Sequence, residues 1–253
     1  MSLDFAVSDG IGRITLKRPE RKNAFTLEMI DSWVSALKEC RENDDVKVVV
    51  VTGAGSAFCA GGDIAEMAGN LGNPPAQRKD ELTARVHRIP LALRDLDKPV
   101  IAAINGVAVG AGLDLALMCD LRYAASSAKF AETYINIGLV PGAGGAYFLP
   151  RLVGIPKALE MFLTGKFVDA QEAVRIGLVN AVYADEALAS EVNKIAAQIC
   201  NAPQLALRLI KRAVYQSTSS DLGTHLDLMS SHYAVITSTD EYKNAVRKFV
   251  GPK

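Results

Sequence analysis

Residues 98–120, KPVIAAINGVAVGAGLDLALMCD, form a long Gly, Ala, Val and Leu segment interrupted by one acid, Asp114. Between 100 and 121 the only other side chain that titrates near neutrality is Asp120, at the end of the run. A carboxylate in so apolar a stretch loses solvation once the stretch is buried. That loss pushes its pKa up, toward the range in which a side chain can take and return a proton. Gly110, Ala111 and Gly112 stand just before it. Free amides at a helix start there would face an anion, and small residues let a ligand approach the main chain. A second loop of small residues, GAGSAFCAGGD, occupies 53–63. It lacks the GK[ST] ending of a phosphate loop, and GVAVGAGLDLA lacks the third small residue of a dinucleotide fingerprint.

The elements that must carry these loops follow from pattern. Residues 99–104 read as a buried strand, 105–106 as a turn, and 113–119 as helix. Residues 12–17 and 46–52 read as strands, and DVKVVVVTG is apolar enough to be buried on both faces. Between them 26–43 is helical, with Thr26 as N-cap and Leu27, Ile30, Val34 and Leu37 on one face. Residues 65–80, with Gly69, Gly72, Pro74 and Pro75, suggest a mobile surface segment. Helix returns over 77–96, carrying His87, followed by short strand over 121–131 and a turn over 138–145. From about 156 onward the pattern is helical, with helices near 156–164, 170–176, 185–200, 203–217, 221–236 and 239–249. A strand-containing core followed by a helical C-terminal part is expected.

The 253 residues suffice for one large core. Lys+Arg and Asp+Glu are both 28, so no basic excess points to nucleic acid or an acidic membrane. Cys40, Cys59, Cys119 and Cys200 show no CxxC spacing, and the histidines are His87, His225 and His232. Neither a metal site nor a disulfide framework is expected, and reducing cytoplasm is the expected setting. The N-terminal MSLDFAVSDGIGRITL lacks a basic-then-apolar leader pattern, and no apolar run reaches the roughly 18 residues of a membrane span.

AFCAGGDIAEM (57–67), KPVIAAINGVAVGAGLDLALMCDLRYA (98–124) and IGLVPGAGGAYFLPRLVG (137–154) resemble the signature segments of the enoyl-CoA hydratase/isomerase, or crotonase, family. The likeness runs from RITLKRPERKNAFTLEM (13–29) to GKFVDAQEAVRIGLVNAVY (165–183). It implies an α/β fold with a crotonase-like ββα spiral core over 1–195, a helical trimerisation region over 196–253, and a homotrimer or dimer of trimers. It also implies an acyl-CoA thioester substrate, with coenzyme A as part of that substrate and no separate cofactor, and a place in fatty acid metabolism. Carried over residue by residue, the N–H groups of Gly62 and Ala111 would hold the thioester oxygen as it becomes an enolate. Lys22, Ala24, Ala60, Gly62, Asp63, Ile64, Ala65 and Ala111 would contact the substrate. Lys248 and Phe249 would reach the CoA nucleotide of a neighbouring subunit. Preorganised backbone donors suit an enolate, because they need no reorientation and losing one typically costs roughly 3 kcal/mol of barrier.

The acids depart from the family. Its hydratases use two glutamates, and those positions here hold Asp114 and Tyr134, the latter in AKFAETYINIGL (128–139). Asp114 draws the carboxylate back by one methylene, roughly 1.5 Å, a shift worth about a hundredfold in rate unless compensated. Tyr134, with a reference pKa of about 10, is a poor base but can donate a hydrogen bond to water, a carboxylate or an enolate; the plainer alternative is a packed aromatic. Glu132 could replace the missing acid but reads more simply as a surface glutamate. Asp120 reads as a structural residue at a helix end. The expected reaction is addition of water to a 2-enoyl-CoA, with enoyl-CoA isomerase or acyl-CoA decarboxylase as alternatives. A non-catalytic acyl-CoA-binding or RNA-binding module is the alternative of another class. Balanced charge and the lack of a lysine-rich helix disfavour RNA.

Overall fold

In the strand Val48–Gly53 every valine is buried, and alternation sends Val49 and Val51 into one core and Val48 and Val50 into another. A computed structural model describes residues 2–251, apart from the side chain of Phe249. Its strands are β1 (Leu3–Ser8), β2 (Ile11–Leu16), β3 (Val48–Gly53), β4 (Ala57–Cys59), β5 (Val100–Ile104), β6 (Val107–Val109), β7 (Leu121–Ala125), β8 (Lys129–Ala131), β9 (Val168–Asp169) and β10 (Ala181–Tyr183). The large sheet has the order β1-β2-β3-β5-β7-β10, antiparallel at β1/β2 and parallel elsewhere. The small sheet has the order β4-β6-β8-β9, parallel except at β8/β9.

The helix Leu27–Glu42 covers one face of the large sheet with Met29, Ile30, Trp33, Ala36, Leu37 and Cys40. Large apolar side chains of this kind contribute roughly 1.5–3 kcal/mol each when fully buried. Thr26 caps it as expected, its Oγ1 accepting from the Met29 amide at 3.2 Å. The helix Leu188–Cys200 covers the other face with Leu188, Val192 and Ala196. The division expected at 195/196 therefore falls inside an element packed on the sheet. Buried Lys98 ties the start of β5 to the end of the first helix by donating to the carbonyls of Cys40 and Asn43, both at 2.7 Å. A cation suits carbonyls at a helix C-terminus.

Two expectations need correction. The region after 156 is not purely helical: β9 and β10 extend the two sheets, each too short to leave a periodic signature. The helix expected over 77–96 is broken into Pro75–Glu81, a wide π turn at Leu82–Val86, and Arg88–Asp95. Residues 64–69 and 75–81 are short, mostly exposed helices. At the C-terminus, Gln204–Ser217, Leu222–Ser238 and Asp240–Val250 lie close to the expected bounds. Among the described residues, no helix is long and apolar enough to cross a membrane.

The topology also delivers the candidate residues. Three times a strand of the large sheet is followed by one of the small sheet, β3 by β4, β5 by β6, and β7 by β8. Because β4, β6 and β8 are adjacent and parallel, the segments leaving them emerge side by side. Those segments carry Gly62, Asp114 and Tyr134.

Candidate active site

The first two segments are in direct contact. A methyl group on Gly61 would lie 3.2 Å from the Val109 carbonyl oxygen and 3.5 Å from the Ala111 amide nitrogen, and one on Gly112 would lie 2.2 Å from the Cys59 carbonyl oxygen. Only glycine permits so close an approach at 112. Gly62 forms an isolated parallel bridge with Phe25, in which the Phe25 amide donates to Gly61 O at 2.8 Å and its carbonyl accepts from the Asp63 amide at 3.0 Å. In a parallel bridge of this form the amide of the residue between, Gly62, points away from Phe25. Ala111 is the first residue of the helix Ala111–Leu117, so its amide has no partner within the helix. Gly110 turns the chain into that helix with φ 50° and ψ −129°, a conformation closed to side-chain-bearing residues.

The third segment is pinned beside them. The Gly110 amide donates to Ala131 O at the end of β8, at 2.8 Å. Thr133 Oγ1 and the Tyr134 ring edge consequently lie within van der Waals reach of where a Gly110 side chain would begin. Asp114, in the first turn of the helix, is fully buried, and the Tyr134 hydroxyl donates to its Oδ2 at 2.6 Å. Tyr134 is thus neither a free packed aromatic nor a base. Burial, followed by the Asp114 charge, raises its pKa and keeps its proton in place.

Burial pushes Asp114 up to about 6; the Tyr134 hydroxyl pulls it back most, with smaller help from Gly145, Glu132 and Ala143. At neutral pH it is largely ionised yet readily protonated. Gly145, the first residue of the helix Gly145–Val153, closes the other side: a methyl there would lie 1.9 Å from Asp114 Oδ1. The loop before it is held by His87, whose Nε2 faces Gly142 O at 2.9 Å, and by Leu82, 3.2 Å from where a Gly142 side chain would begin. The histidine thus orders a loop.

Glu132 is a correction. It is fully buried, not on the surface, and burial followed by the Asp114 charge pushes it up to about 10. Strand alternation held the signal, since Phe130 and Glu132 share a face if β8 is extended by one residue. Gly145 was equally visible within LVPGAGG, but nothing in a glycine announces the carboxylate that it must admit.

Of the expected substrate contacts, Lys22, Ala24, Ala60, Gly62 and Asp63 share one neighbourhood, tied by the Ala60 amide donating to Lys22 O at 2.9 Å. Lys22, Ile64 and Ala65 are exposed, while Ala24 and Ala60 are half-buried. The Asp63 side chain is already engaged. Its Oδ1 caps the helix Ile64–Gly69 by accepting from the Ala65 amide at 2.9 Å, and its Oδ2 meets Arg18 at 2.9 Å, which holds the carboxyl below the usual range. Met67 Cε stands 2.4 Å from where a Gly62 side chain would begin, so this methionine covers the amide-bearing turn. A cleft lined by Phe25, Gly62, Glu66, Met67, Arg78 and Val86 opens beside it. Lys248 is exposed on the last helix, which packs on the helix before it; the Phe249 side chain lies outside the described residues. Asp120 is structural, as expected: it accepts from the Val100 amide at 2.7 Å and Tyr215 at 2.9 Å, and pairs with Lys211 at 2.8 Å. Burial pushes the Cys59 and Cys119 thiols up to about 12, which leaves no thiolate for nucleophilic chemistry there.

Three adjacent parallel strands thus bring two turn amides, those of Gly62 and Ala111, beside a buried carboxylate in an α/β fold. The sequence model of the Enoyl-CoA hydratase/isomerase family matches residues 6–252, and the chain belongs to that family. It is 34% identical to the 1,2-epoxyphenylacetyl-CoA isomerase of Escherichia coli over 98% of this chain and 94% of the relative. It is 36% identical to the crotonyl-CoA hydratase of Syntrophomonas wolfei over 93% and 89%. The crystal structure of an enoyl-CoA hydratase from Bacillus anthracis superposes with a TM-score of 0.90 at 32% identity, covering 98% of this chain and 96% of that one. The chain has the crotonase fold and is an enzyme of this family.

Proposed function

We propose that this chain catalyses the reversible addition of water to a 2-enoyl-CoA. The amides of Gly62 and Ala111 hold the thioester oxygen, and Asp114 carries the proton. The observation that carries the proposal is the place of Asp114: an ionised but protonatable carboxylate, gripped by Tyr134 at 2.6 Å, one helical turn from the Ala111 amide. In the forward direction the Asp114 carboxylate takes a proton from water as the water oxygen bonds to the β-carbon. The double-bond electrons move onto the thioester, giving an enolate held by the two amides. Asp114 then returns the proton to the α-carbon, the carbonyl re-forms, and the carboxylate is regenerated. Coenzyme A enters as part of the substrate, and no separate cofactor takes part. Lys22, Ala24, Ala60, Ile64 and Ala65 line its path, with Asp63 shaping the turn through its cap.

A second activity, moving a double bond from the 3- to the 2-position, is favoured by one observation. Tyr134 keeps its proton and donates a hydrogen bond to Asp114, so Asp114 is the one carboxylate poised to remove and return a proton, which is all that isomerisation needs. Assembly as a homotrimer or dimer of trimers in the cytoplasm completes the proposal, supported by exposed Ile210, Val214, Leu222, Leu226, Tyr233 and Val235 on the C-terminal helices. Purified protein offered crotonyl-CoA, a 3-enoyl-CoA and a malonyl-type CoA decides the reaction. Hydration of crotonyl-CoA is expected; no turnover of it alongside turnover of either other thioester overturns the hydratase assignment.

A further inference from the structure

Glu132 is used neither by the amide-bearing turns nor by the proton transfer proposed for Asp114. It is 0% exposed, and neither of its carboxyl oxygens has a hydrogen-bond donor among the described residues; Asp114 Oδ1 has none either. Glu132 follows Ala131, whose carbonyl accepts from the Gly110 amide at 2.8 Å, so it enters the interior beside the helix that carries Asp114, and each carboxyl acts on the other as a hydrogen-bond partner. Two buried carboxyl groups so placed cannot both ionise, since neither is solvated and like charges repel strongly at low dielectric. A proton between them resolves both difficulties, because a neutral carboxyl has one O–H to give and an ionised one has lone pairs to receive it.

The surroundings decide which group keeps the proton. Asp114 receives the Tyr134 hydroxyl on Oδ2 and stands in the first turn of its helix, where negative charge is favoured. Glu132 receives nothing. The ionisable groups acting on it reduce to Asp114, and burial is the larger influence. From the helix Gly145–Val153, Arg151 instead lies over the Tyr147 ring, 3.6 Å from its centroid. His87 is turned to the Gly142 carbonyl, and Lys129 at the start of β8 is exposed. No cation pairs with Glu132 among the described residues.

We propose that Glu132 is a positioning residue of this site: held as a neutral carboxylic acid, it donates to Asp114 Oδ1 while Tyr134 donates to Oδ2, so that the proton carrier is gripped at both oxygens. This rests on the assignment of Asp114 as proton carrier. The paired donors keep Asp114 ionised despite its burial and hold it against Gly145. The experiment is carbon-13 NMR of the full-length protein labelled at glutamate side-chain carboxyls, titrated between about pH 5 and 9, a range in which ordinary glutamates are ionised. One resonance, absent from Glu132→Gln, stays at the protonated position throughout; a Glu132 resonance at the ionised position overturns the proposal. The pH profile of turnover gives a second readout. Glu132→Gln, which still donates, leaves the acid limb in place, and Glu132→Leu raises it by about one unit, a tenfold shift in protonation. A downward shift in both variants, the mark of a removed negative charge, overturns the proposal too. Failure of the Asp114 assignment looks different: Asp114→Asn would then keep turning over, whatever the Glu132 resonance reports.

Discussion

Gly145→Ala is the sharpest steric perturbation of this site. Gly145 opens a helix without a left-handed backbone angle, so alanine is conformationally welcome there and, on propensity alone, stabilising by up to about 1 kcal/mol. The obstacle is the added methyl, which would lie 1.9 Å from Asp114 Oδ1 and 2.8 Å from its Cγ. Ordinary contact begins near 3.4 Å, so the carboxylate must retreat by about 1.5 Å, a displacement that costs on the order of a hundredfold in rate. Overpacking costs roughly 1–3 kcal/mol of stability, small enough to leave a folded enzyme. Steady-state kinetics on the preferred enoyl-CoA should therefore show kcat reduced about a hundredfold with KM little changed, and near-UV circular dichroism should remain native. In an Asp114→Asn background the same methyl should cost no further activity, because the group it displaces is already disabled. Gly69→Ala, with nothing within 4 Å of the added methyl, is the matched control. A folded Gly145→Ala enzyme with wild-type kcat would refute the claim that Asp114 works from this position.

Tyr134→Phe removes the donor that favours ionised Asp114, so the acid limb of the pH profile should rise by about one unit; a limb that stays or falls contradicts the hydrogen bond's role. Glu132 keeps its proton in the fold well above its unfolded value of 4.5, so the wild type should lose stability as pH rises from there toward about 10. Urea unfolding at several pH values should show Glu132→Gln relieved of that slope, at most about 1.4 kcal/mol per pH unit; identical pH dependence in both proteins contradicts it. Gly112→Ala would place a methyl 2.2 Å from Cys59 O and should lower stability by about 2–4 kcal/mol in thermal or urea unfolding, whereas a neutral result would mean the two glycine turns are not in contact.

The parts of the molecule that obey strong periodicity were legible in the chain. Thr26 and the helix it caps, the doubly buried valines of β3, and the strand leading to Gly110 each have a local cause and stand where it puts them. The two glycine loops also stood out in the chain, and Gly61 and Gly112 are where one meets the other. What escaped depended on partners far along the sequence. β9 and β10 are strands because sheet edges await them, not because two or three residues carry a pattern. Glu132 is buried because β8 carries it inward beside Asp114, and a glutamate's type argues for the surface. Asp63 lies in the expected turn, yet Arg18 and a helix start occupy its carboxylate, a commitment that only the folded chain displays.

In the proposed mechanism Asp114 moves a proton at the carbon beside a thioester whose oxygen two backbone amides hold. Solvent-deuterium exchange at the α-carbon of a bound saturated acyl-CoA, followed by NMR in the wild type and in Asp114→Asn, tests it most directly, with Kd for the same thioester measured alongside. Exchange in the wild type, a loss of at least about a hundredfold in the variant, and a nearly unchanged Kd are expected. Exchange at the wild-type rate in Asp114→Asn would contradict it.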